Sequence, residues 1–567
     1  MRFLPVRDDA LLIELDDLDA ALSLFDALSS DPIPGVGELI PGARTILVPY
    51  RPSAVTPQQI VRSALARNFG DRATGESTLI EIPVRYAGED LAEVASLLGV
   101  STEAVVAMHT GGEYSVGFTG FAPGFAYLSG GHPDLDVPRR QTPRTRIPAG
   151  SVALAGTFSG VYPRESPGGW QLIGTTDVPM WDLDRERPAL LLPGDRVRFV
   201  DVTGSTSAPA TATSTSTTSP TAAAQPPTSP SSESWGAAPS TPSDASALEV
   251  IHPGMLTLLQ DRGRPGFASM GVSGSGALDA VSLREANRLV GNAVSFACLE
   301  MTFGGLRLRA RGPQVVSVTG APAPVTITRA AGAKVSVDHG AAFALDPGDE
   351  VQIGPPTSGV RSYLAVRGGF ALEPILGSLS TDVLAGLGPD PLSAGSVLPV
   401  ASAERGIAAV QLRDDPPHET VPAGVVEAVA AGVEVVLDVV LGPRTDWFST
   451  DAVEHLRGQA WTVSARSNRV GLRLEGDALT RVVTSELPSE GTVSGAIQIP
   501  PNGQPVLFLA DHPLTGGYPV IGAVATHHLA RAGQLPPGAR IRFNPLAPFA
   551  EFDSAETLPA QTPEVHP

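Results

Sequence analysis

Residues that could do chemistry are concentrated in glycine-rich stretches, the first of which is MHTGGEYSVGFTGFAPGFAYLSGG (108–131). His109 stands where a predicted helix ends at two glycines, and Tyr114, Gly124 and Phe125 follow among further glycines and aromatic residues. Glycine allows backbone N–H groups to approach a ligand, and aromatic side chains can form the walls of a pocket. A buried aromatic hairpin, with His109 as its last helical residue, explains the same pattern, and the residues alone favour that alternative.

Arginine is concentrated in PRRQTPRTRIPAGSVALAG (138–156), which contains Arg139, Arg140, Arg144 and Arg146. The guanidinium group binds carboxylates and phosphates through paired hydrogen bonds. In a chain with a net charge of −20, this local excess of cations indicates an anionic substrate or cofactor. The alternative is a solvated loop whose arginines pair with acidic residues elsewhere, and the sequence leaves both open.

Three further polar runs lie in the second half of the chain. In LLQDRGRPGFASMGVSGSGALD (258–279), open backbone amides precede a predicted helix, which is typical of anion sites. Asp279 is explained by capping that helix. The other runs are SARSNRVGLRLEG (464–476) and LADHPLTGGYP (509–519). The polar candidates in the three runs are Gln260, Asp261, Arg262, Arg264, Arg466, Asn468, Arg469, Asp511, His512, Thr515 and Tyr518.

Short strands joined by tight turns are expected to position these residues, because the 567 residues include 60 glycines and 54 prolines. Helical spacing and capping signals are more restricted along the chain. They predict helices over 17–28, from 56 onward, over 91–98, 101–109 and 280–290, and a short one near 523–532.

An internal repeat predicts β-barrel-like lobes of similar topology. AGSVALAG, SPGGWQLIG and LPGDRVRF (149–199) are followed in the same order by SGAIQIPPNG, LTGGYPVIG and PPGARIRF (494–543), and LDPGDEVQI (345–353) is a third copy of the last element. We therefore predict a mainly β fold with α+β character. Its parts are a small α+β lobe (1–85), a β lobe (86–203), a Ser/Thr/Pro/Ala linker expected to be disordered (204–247), a second half with two β-barrel lobes (248–552) and a tail (553–567).

Composition argues against several classes of protein. The acidic pI of about 4.9 disfavours nucleic-acid binding. The single lysine, Lys334, disfavours a P-loop, Schiff-base chemistry and a biotin-accepting site. The single cysteine, Cys298, and the ten histidines form no metal-ligand pattern, and the adjacent His527 and His528 are expected to diverge on a helix. No GxSxG, HExxH or Rossmann motif is present. Without an apolar run of 18 residues or a signal peptide, we expect the chain in the cytoplasm.

The longer motifs resemble two protein families. HTGGEYSVGFTGFAPGFAYL, PRRQTPRTRIPAGSVALAG and SPGGWQLIGTT are similar to the allophanate hydrolase subunit 1 family. LTLLQDRGRPGFASMGVSGSGALD, LGSLSTD, SNRVGLRLEG and GAIQIPPNGQPVLFLADHPLTGGYP resemble the subunit 2 family. In the last motif, His512 and Leu514 stand where the resemblance implies arginine and threonine. Such pairs form the B and C subunits of bacterial 5-oxoprolinase and the carboxyltransferase region of urea amidolyase, and one relative inhibits a sporulation kinase. The resemblance implies cyclophilin-like β-barrel lobes.

The resemblance also implies a pocket, in which segments 108–130 and 258–279 would meet in one cleft for a negatively charged reactant. His109, Asp261 and Asp511 would be catalytic, with His109 as general acid or base and Asp261 orienting a donor or a metal-bound nucleotide. No resident metal site is assigned. The residues expected to bind substrate or phosphate are Tyr114, Gly124, Phe125, Arg144, Gln260, Arg262, Arg264, Arg466, Asn468 and Tyr518.

The leading hypothesis is the fused B/C component of an ATP-dependent 5-oxoprolinase, a hydrolase that opens the cyclic amide 5-oxo-L-proline to L-glutamate. It would use ATP with Mg²⁺ and form a hetero-oligomer with a separate A subunit. The first alternative is a carboxyltransferase component that acts on urea or a similar small amide and depends on biotin held by a separate carrier chain. The second alternative is a regulatory protein that inhibits a kinase through its first half alone.

Overall fold

Four lobes follow one another along the chain. The computed structural model describes residues 1–67, 78–140, 142–204, 246–402 and 434–553, and the backbone of 213–215. The first lobe contains β1 (Arg2–Arg7), β2 (Ala10–Glu14), α1 (Leu18–Ser30), β3 (Ile40–Pro41), β4 (Thr45–Pro49) and α2 (Pro57–Leu65). Its antiparallel sheet has the order β1-β2-β4-β3, and apolar residues of both helices pack on it. The helices begin where the spacing predicts them, because Asp17 accepts the Ala20 N–H and Thr56 forms a capping box with Gln59.

The second lobe is a nearly closed barrel. Its elements are β5 (Leu79–Val84), α3 (Leu91–Leu98), α4 (Thr102–Thr110), β6 (Tyr114–Thr119), β7 (Ala126–Ser129), β8 (Arg144–Ile147), β9 (Ser151–Ala155), β10 (Phe158–Val161), β11 (Ser166–Gly168), β12 (Gln171–Thr175), β13 (Arg196–Asp201) and β14 (Thr213–Thr215). The main sheet has the order β12-β9-β10-β7-β6-β13-β5-β14, whereas β8 and β11 pair separately. A bridge between Arg85 and Thr175 joins the ends of β5 and β12.

The third lobe consists of two sheets with a shared core. Its elements are β15 (Ala247–Pro253), β16 (Leu256–Gln260), α5 (Ala280–Val290), β17 (Cys298–Thr302), β18 (Leu306–Ala310), β19 (Gln314–Gly320), β20 (Val325–Thr328), β21 (Lys334–Val337), β22 (Ala342–Leu345), β23 (Glu350–Ile353), β24 (Arg361–Val366) and β25 (Val397–Pro399). The sheet orders are β21-β20-β23-β18-β15-β25 and β16-β17-β24-β19-β22. Apolar side chains from both sheets form one core. Asp279 caps α5 as predicted, because its Oδ1 accepts the Ser282 N–H at 2.9 Å.

The fourth lobe is a closed barrel. Its elements are β26 (Glu434–Leu441), α6 (Thr450–Gly458), β27 (Trp461–Val463), β28 (Gly471–Glu475), β29 (Glu490–Gly491), β30 (Ala496–Gln498), β31 (Val506–Phe508), β32 (Thr515–Gly516), β33 (Val520–Val524), α7 (Leu529–Gly533) and β34 (Arg540–Pro545). Closure follows the order β26-β33-β30-β31-β28-β27-β34, with β34 pairing back to β26. The barrel interior is filled by apolar side chains around Trp461.

The predicted internal repeat is a repeat of strand order. In the second lobe, the order of hydrogen-bonded strands is β12-β9-β10-β7-β6-β13-β5. In the fourth lobe it is β33-β30-β31-β28-β27-β34-β26, and the two orders match strand by strand. In both barrels the strand after the Pro-Gly turn pairs in parallel with the first strand and antiparallel with the second. The third copy contains β23, whose two neighbours are both antiparallel. The mainly β fold with barrel lobes is therefore confirmed, and two of its lobes share one topology.

Some boundaries differ from the sequence-based expectation. Strand β5 falls within the predicted lobe 1–85 but pairs with β13 of the second lobe. The predicted helix near 523–532 begins only at Leu529, because residues 520–524 form a buried strand of the barrel. The predictions for the linker 204–247 and the tail 553–567 lie almost wholly outside the described residues. Within the described chain, no single helix is long and apolar enough to cross a membrane, although α3 and α4 reach that size as a bent pair.

Candidate active site

The two glycine-rich segments predicted to face each other are in direct contact. Thr119 Oγ1, at the end of β6, donates to the carbonyl oxygen of Ala268 at 2.7 Å. The Gly124 N–H donates to the carbonyl oxygen of Met270 at 2.9 Å. The Phe121 N–H donates to Thr515 Oγ1 at 3.1 Å, which adds the fourth lobe to the same junction. Segments from both halves of the chain therefore build one site.

The small lobe also contributes to this junction through Glu38. Its two carboxylate oxygens accept the N–H groups of Gly266 and Ala268 at 2.7 and 2.8 Å. Those amides belong to the glycine-rich segment that follows β16, so part of its open backbone is already occupied by a carboxylate. The carboxylate of Glu38 therefore occupies the position that was predicted for a bound anion.

Gly271 marks a close approach between the halves. Its φ is +76°, and a Cβ there would lie 2.6 Å from the Ala122 carbonyl oxygen. We expect Gly271→Ala to lower the free energy of unfolding by about 1–2 kcal/mol for the left-handed conformation and by about 1–3 kcal/mol more for the clash. Gly266→Ala is the matched control, since Gly266 has a φ of +95° with open space around the added Cβ. Equal thermal unfolding midpoints of the two variants would contradict the close contact.

A small pocket of about 10 Å³, room for about one water molecule, lies where these segments meet. It is far smaller than the roughly 300–1,000 Å³ typical of ligand pockets, so it marks the junction of the segments and not a formed substrate site. Phe121 lies at its wall with a φ of +64°, a conformation that bulky residues rarely adopt outside functional sites. The lining residues are Phe121, Ala122, Pro123, Gly271, Ser273, Leu384, Ala385, His512, Pro513 and Leu514.

A buried ion-pair network supports the pocket from behind. Arg469 binds both oxygens of Asp511 at 3.0 Å through Nε and Nη2, and its Nη1 binds Glu300. Asp511 also accepts the Ser275 hydroxyl at 2.7 Å and the Val383 N–H at 3.0 Å. Asp511 therefore fixes two pocket loops to the barrel of the fourth lobe, and its observed contacts are those of a structural carboxylate.

Asp261 has a comparable structural role at the start of the glycine-rich segment. Its carboxylate accepts the hydroxyls of Ser378 and Ser380 at 2.7 and 2.6 Å and the Leu379 N–H at 2.8 Å. The Gly263 N–H donates to the same carboxylate at 2.7 Å. Asp261 thus holds the loop that carries Asp382, and these four donors leave it little capacity to bind a substrate directly.

Asp382 is a buried carboxyl group that was absent from the predicted site residues. Its Oδ1 accepts the N–H groups of Leu384 and Ala385 at 2.9 and 2.8 Å, and its Oδ2 accepts the Ser273 hydroxyl at 3.2 Å. Burial, with the negative charge of Asp511, raises the pKa of Asp382 to about 6. A carboxyl group that titrates near neutrality beside a pocket has the properties of a general base.

Two other predicted residues lie next to this network. Arg264 is almost completely buried and donates to the carbonyl of Ser380, and burial lowers its pKa. Its Nη1 has no hydrogen-bond partner among the described residues. Gln260 Nε2 donates to the Thr381 carbonyl at 2.8 Å. Both side chains therefore position the 376–388 loop, and Arg264 retains an unused donor.

His109, Tyr114 and Phe125 lie in barrel cores and not at the junction pocket. His109 is fully buried, stacks on Phe199, and is hydrogen-bonded to Tyr86 Oη at 2.7 Å and Ser159 Oγ at 2.8 Å. Burial lowers its pKa to about 3. Phe125 packs in a cluster of aromatic rings inside the second lobe. The structure gives His109 no access to a substrate, so the proton-transfer role expected for it has no geometric support.

The burial of His109 predicts acid sensitivity. An unfolded histidine takes up a proton near pH 6.5, whereas the folded one does not until about pH 3, so stability is full above pH 6.5 and falls below it. We expect a loss of about 2 kcal/mol in unfolding free energy between pH 7 and pH 5 from this group. His109→Gln should reduce that slope, measured by urea unfolding at each pH. His132→Gln, which removes an exposed ring, is the control, and an unchanged slope in His109→Gln would contradict the assignment.

The other predicted binding residues are dispersed. Arg144 binds Asp90 at 2.7 and 2.8 Å and Glu89 at 3.1 Å. This agrees with the alternative reading of segment 138–156 as a loop whose arginines pair with acidic residues elsewhere. Arg466 is exposed and contacts Glu475 at 3.4 Å, and Asn468 Oδ1 accepts the Val470 N–H at 2.9 Å. Tyr518 is half-buried, and its carbonyl oxygen accepts from Gln498. The exposed Arg262 has no hydrogen-bond or ion-pair partner among the described side chains.

The two departures from the expected motif, His512 and Leu514, both line the pocket. Burial lowers the pKa of His512 to about 4, so its ring is neutral at pH 7. Its Nδ1 lies 2.9 Å from the Pro513 carbonyl oxygen, which assigns the proton to that nitrogen. No described residue binds its Nε2, which is therefore available as a hydrogen-bond acceptor.

Some residues of the junction could have been found by sequence reasoning and others could not. Ser273 and Asp382 lie within the motifs MGVSGSG and LGSLSTD, whereas nothing in the sequence distinguishes Glu38 or Glu300 from other acids.

His527 and His528 do not diverge as expected, because a 3₁₀ turn (Thr526–His528) places both rings near Asp438. These three residues are a candidate metal-binding group, but His528 Nδ1 already accepts the Asp438 N–H at 2.8 Å.

The fold, together with a junction built from both halves of the chain, is that of a carboxyltransferase-type protein. Residues 1–191 match the family described as carboxyltransferase domain, subdomain C and D, and residues 270–545 match carboxyltransferase domain, subdomain A and B. The chain belongs to this family and unites both parts in one polypeptide. The crystal structure of TTHA0988 is 34% identical, with a TM-score of 0.76 over 94% of this chain and 99% of that one.

The two halves are similar to separate components of one enzyme. The first half is 46% identical to the B subunit of 5-oxoprolinase from Escherichia coli O157:H7 over 30% of this chain and 79% of that protein. The second half is 33% identical to the C subunit of 5-oxoprolinase from Escherichia coli K12 over 52% of this chain and 90% of that protein. The chain is also 30% identical to urea amidolyase of Saccharomyces cerevisiae over 56% of its length, which covers 17% of that protein.

Proposed function

We propose that the chain is the fused B/C component of an ATP-dependent 5-oxoprolinase that acts in the cytoplasm with a separate A subunit. The observation that carries this proposal is the junction pocket, which is lined by the B-like half at 121–123 and by the C-like half elsewhere. A site of this kind requires both halves, which explains why a regulatory role of the first half alone is disfavoured.

The reaction would open a lactam, which is a poor electrophile. Transfer of the γ-phosphoryl group of ATP to the carbonyl oxygen makes the ring carbon susceptible to water, after which the C–N bond breaks and glutamate and phosphate are released. Cations that stabilise the transferred phosphoryl group favour such a step. Arg264, with its unpartnered Nη1, and the exposed Arg262 are the candidates here. Since Asp261 and Asp511 already bind donors of the protein, we propose that Mg²⁺ arrives with the nucleotide.

The test is ATP-dependent formation of glutamate from 5-oxoproline by the full-length chain, with and without an A-type subunit. We expect turnover that requires the A-type subunit, measured as ADP and glutamate in equal amounts. Absence of turnover under both conditions would overturn the proposal.

The similarity to urea amidolyase favours a second candidate, a carboxyltransferase component for urea or another small amide. This candidate uses carboxybiotin held by a separate carrier chain. Urea-dependent loss of the carboxyl group from a carboxylated carrier would support this candidate over the first.

A further inference from the structure

The sheet of the first lobe is apolar on both of its faces. Successive residues of a strand point to opposite faces, and in β2 the side chains of Leu11 and Ile13 pack against the two helices of the lobe. Leu12, which lies between them, belongs to a second buried cluster that contains Phe508 and Val520 of the fourth-lobe barrel. The first and fourth lobes therefore share one hydrophobic core.

Buried polar contacts add to this core. Arg444 of the fourth lobe binds Glu14 of the first lobe at 2.7 Å, and both side chains are almost completely buried. The Ala43 N–H donates to the carbonyl oxygen of Ser489 at 2.8 Å. A contact that is large and hydrophobic resists relative motion of the parts that it joins, so the first lobe is fixed to the fourth.

The third lobe is fixed to the fourth by Gln534, which directly follows α7. Its side-chain oxygen accepts the N–H groups of Val360 and Arg361 at 3.0 and 2.8 Å. Its amide group donates to Asp279 at 2.9 Å, and the whole side chain is buried. The first, third and fourth lobes thus form one body, which we call the three-lobe body.

The second lobe is attached to this body by contacts of a different kind. Among the described residues, no cluster of buried apolar side chains joins it to the third or fourth lobe. The hydrogen bonds of the 119–124 loop hold it there, with a longer one of 3.2 Å from Ser489 Oγ to Tyr127 Oη. Apolar packing connects it to the first lobe, where a Cβ on Gly117 would lie 3.3 Å from Leu18 Cδ2. Small, polar interfaces of this kind permit relative motion of domains.

Backbone strain is concentrated on both sides of this boundary. Four residues other than glycine have a positive φ in the described chain, and three of them lie in the loops that meet here. They are Phe121 at +64°, Ser275 at +53° and Leu376 at +51°. Strained conformations of this type occur preferentially at ligand clamps and switch regions. The strain therefore distinguishes this boundary from the contact between the first and fourth lobes.

We propose that the second lobe moves as a unit against the three-lobe body, and that the junction with its pocket of about 10 Å³ is the closed state of this movement. With room for about one water molecule, the closed junction admits no larger reactant. The lobe turns about the apolar contact between Gly117 and Leu18. In the open state the 119–124 loop leaves the glycine-rich segment, so that Ser273 and His512 become accessible to a small molecule.

The movement does not depend on which reaction the chain performs. Opening admits a reactant, and closure removes bulk water from it, which is the general use of lobe closure in enzymes. The tests below need no substrate. The inference and the proposed function can therefore fail separately.

Two hydrogen bonds between lobes, both from a backbone amide to a backbone carbonyl, give the first test. Gly124 N–H bonds to Met270 at 2.9 Å across the moving boundary, and Ala43 N–H bonds to Ser489 at 2.8 Å across the fixed one. Hydrogen exchange of the full-length chain, measured at single residues by mass spectrometry, should show at least about 100-fold less protection for Gly124 than for Ala43. Equal protection of the two amides would overturn the inference.

A distance measurement distinguishes a moving lobe from a fraying loop. Spin labels at Ser96→Cys in α3 and Glu454→Cys in α6 span the moving boundary, and labels at Gln58→Cys in α2 and Glu454→Cys span the fixed one. All three positions are exposed, and the native Cys298 is fully buried. We expect a second, distinct distance population for the Ser96–Glu454 pair and one population for the Gln58–Glu454 pair. A second population for the Gln58–Glu454 pair would overturn the division into a fixed body and a moving lobe.

Thr119→Val is expected to increase the open population. It removes the hydroxyl that donates to the Ala268 carbonyl oxygen at 2.7 Å, so the ratio of open to closed states should rise at least about fivefold. Thr526→Val is the matched control, because it removes a hydroxyl that donates to Asp8 at 2.8 Å between the first and fourth lobes. One unchanged population for the Ser96–Glu454 pair in both wild type and Thr119→Val, or an equal shift in Thr526→Val, would overturn the inference.

Discussion

Replacement of Arg469 by glutamine is expected to lower the free energy of unfolding by about 3–5 kcal/mol, because it leaves the buried Asp511 without its cation and Glu300 with only Arg361, at 3.6 Å. Arg469 is 3% exposed and lies between Asp511 and Glu300, with a further hydrogen bond of 2.6 Å to the Gly276 carbonyl. Burial lowers the pKa of Arg469, but the two carboxylates raise it well above its usual value. The guanidinium group is thus fully charged in the folded chain, and its loss cannot be compensated by water.

Arg466→Gln is the matched control, since Arg466 undergoes the same change three residues earlier on an exposed loop. Its contact with Glu475 is exposed on both sides, so its loss should change stability by no more than about 0.5 kcal/mol. Thermal and urea unfolding midpoints measure both variants. Arg469→Gln should also lose pocket-dependent activity, because Asp511 then no longer holds the Ser275 hydroxyl and the Val383 N–H in place. Midpoints that coincide for Arg469→Gln and Arg466→Gln would show that the network does not stabilise the fold.

Replacement of Arg444 by methionine is expected to have an effect of similar size at another point between the halves. Arg444 binds Glu14 of the first lobe at 2.7 Å and Glu490 of the fourth lobe at 2.7 and 2.9 Å. All three side chains are almost completely buried. Removal of the cation leaves the buried Glu490 without its ion-pair partner, whereas Glu14 keeps Arg2 and Arg44, each at 2.9 Å. The unpaired buried charge costs about 3–5 kcal/mol, and the loss of the link should loosen the first lobe.

The double variant Arg444→Met/Glu490→Gln gives the sharper test of this triad. It removes the charge of Glu490, which Arg444→Met leaves without its cation, so it should be more stable than Arg444→Met alone by more than about 1 kcal/mol (about a fivefold change in the folding equilibrium). Burial raises the pKa of Glu490 even with Arg444 present, so the deficit of Arg444→Met should shrink as the pH falls from 7 to 5. Urea unfolding and limited proteolysis between the lobes measure these differences. A double variant no more stable than the single one would contradict the triad.

Several structural features follow directly from local sequence. Asp17, Thr56, Ser101 and Asp279 cap helices where their side chains and spacing indicated, because a cap is formed within one turn of chain. The paired motifs of the repeat fold into equivalent strands of two barrels, because each motif encodes a turn and an alternating strand. The contact between segments 108–130 and 258–279 was also predicted, although from a resemblance and not from periodicity.

The functional assignment of single residues was less predictable, because it depends on contacts between distant parts of the chain. His109 and Asp382 illustrate this in opposite directions. His109 has the residue type of a general base, but the barrel closes around it and lowers its pKa to about 3. Asp382 is one of many acids, and its pKa is raised to about 6 only because the fold buries it and places the negative charge of Asp511 beside it.

By itself, the sequence determined the mainly β architecture, the two repeated barrels, the helix caps and the concentration of glycine at the junction. These properties arise from interactions over a few residues, which the order of amino acids specifies directly. Only the tertiary structure decided which charged groups are buried, which of them are paired, and which reach the pocket. The reason is that burial and Coulomb interactions depend on distance in space, and Arg469 meets Glu300 across 169 positions of the chain.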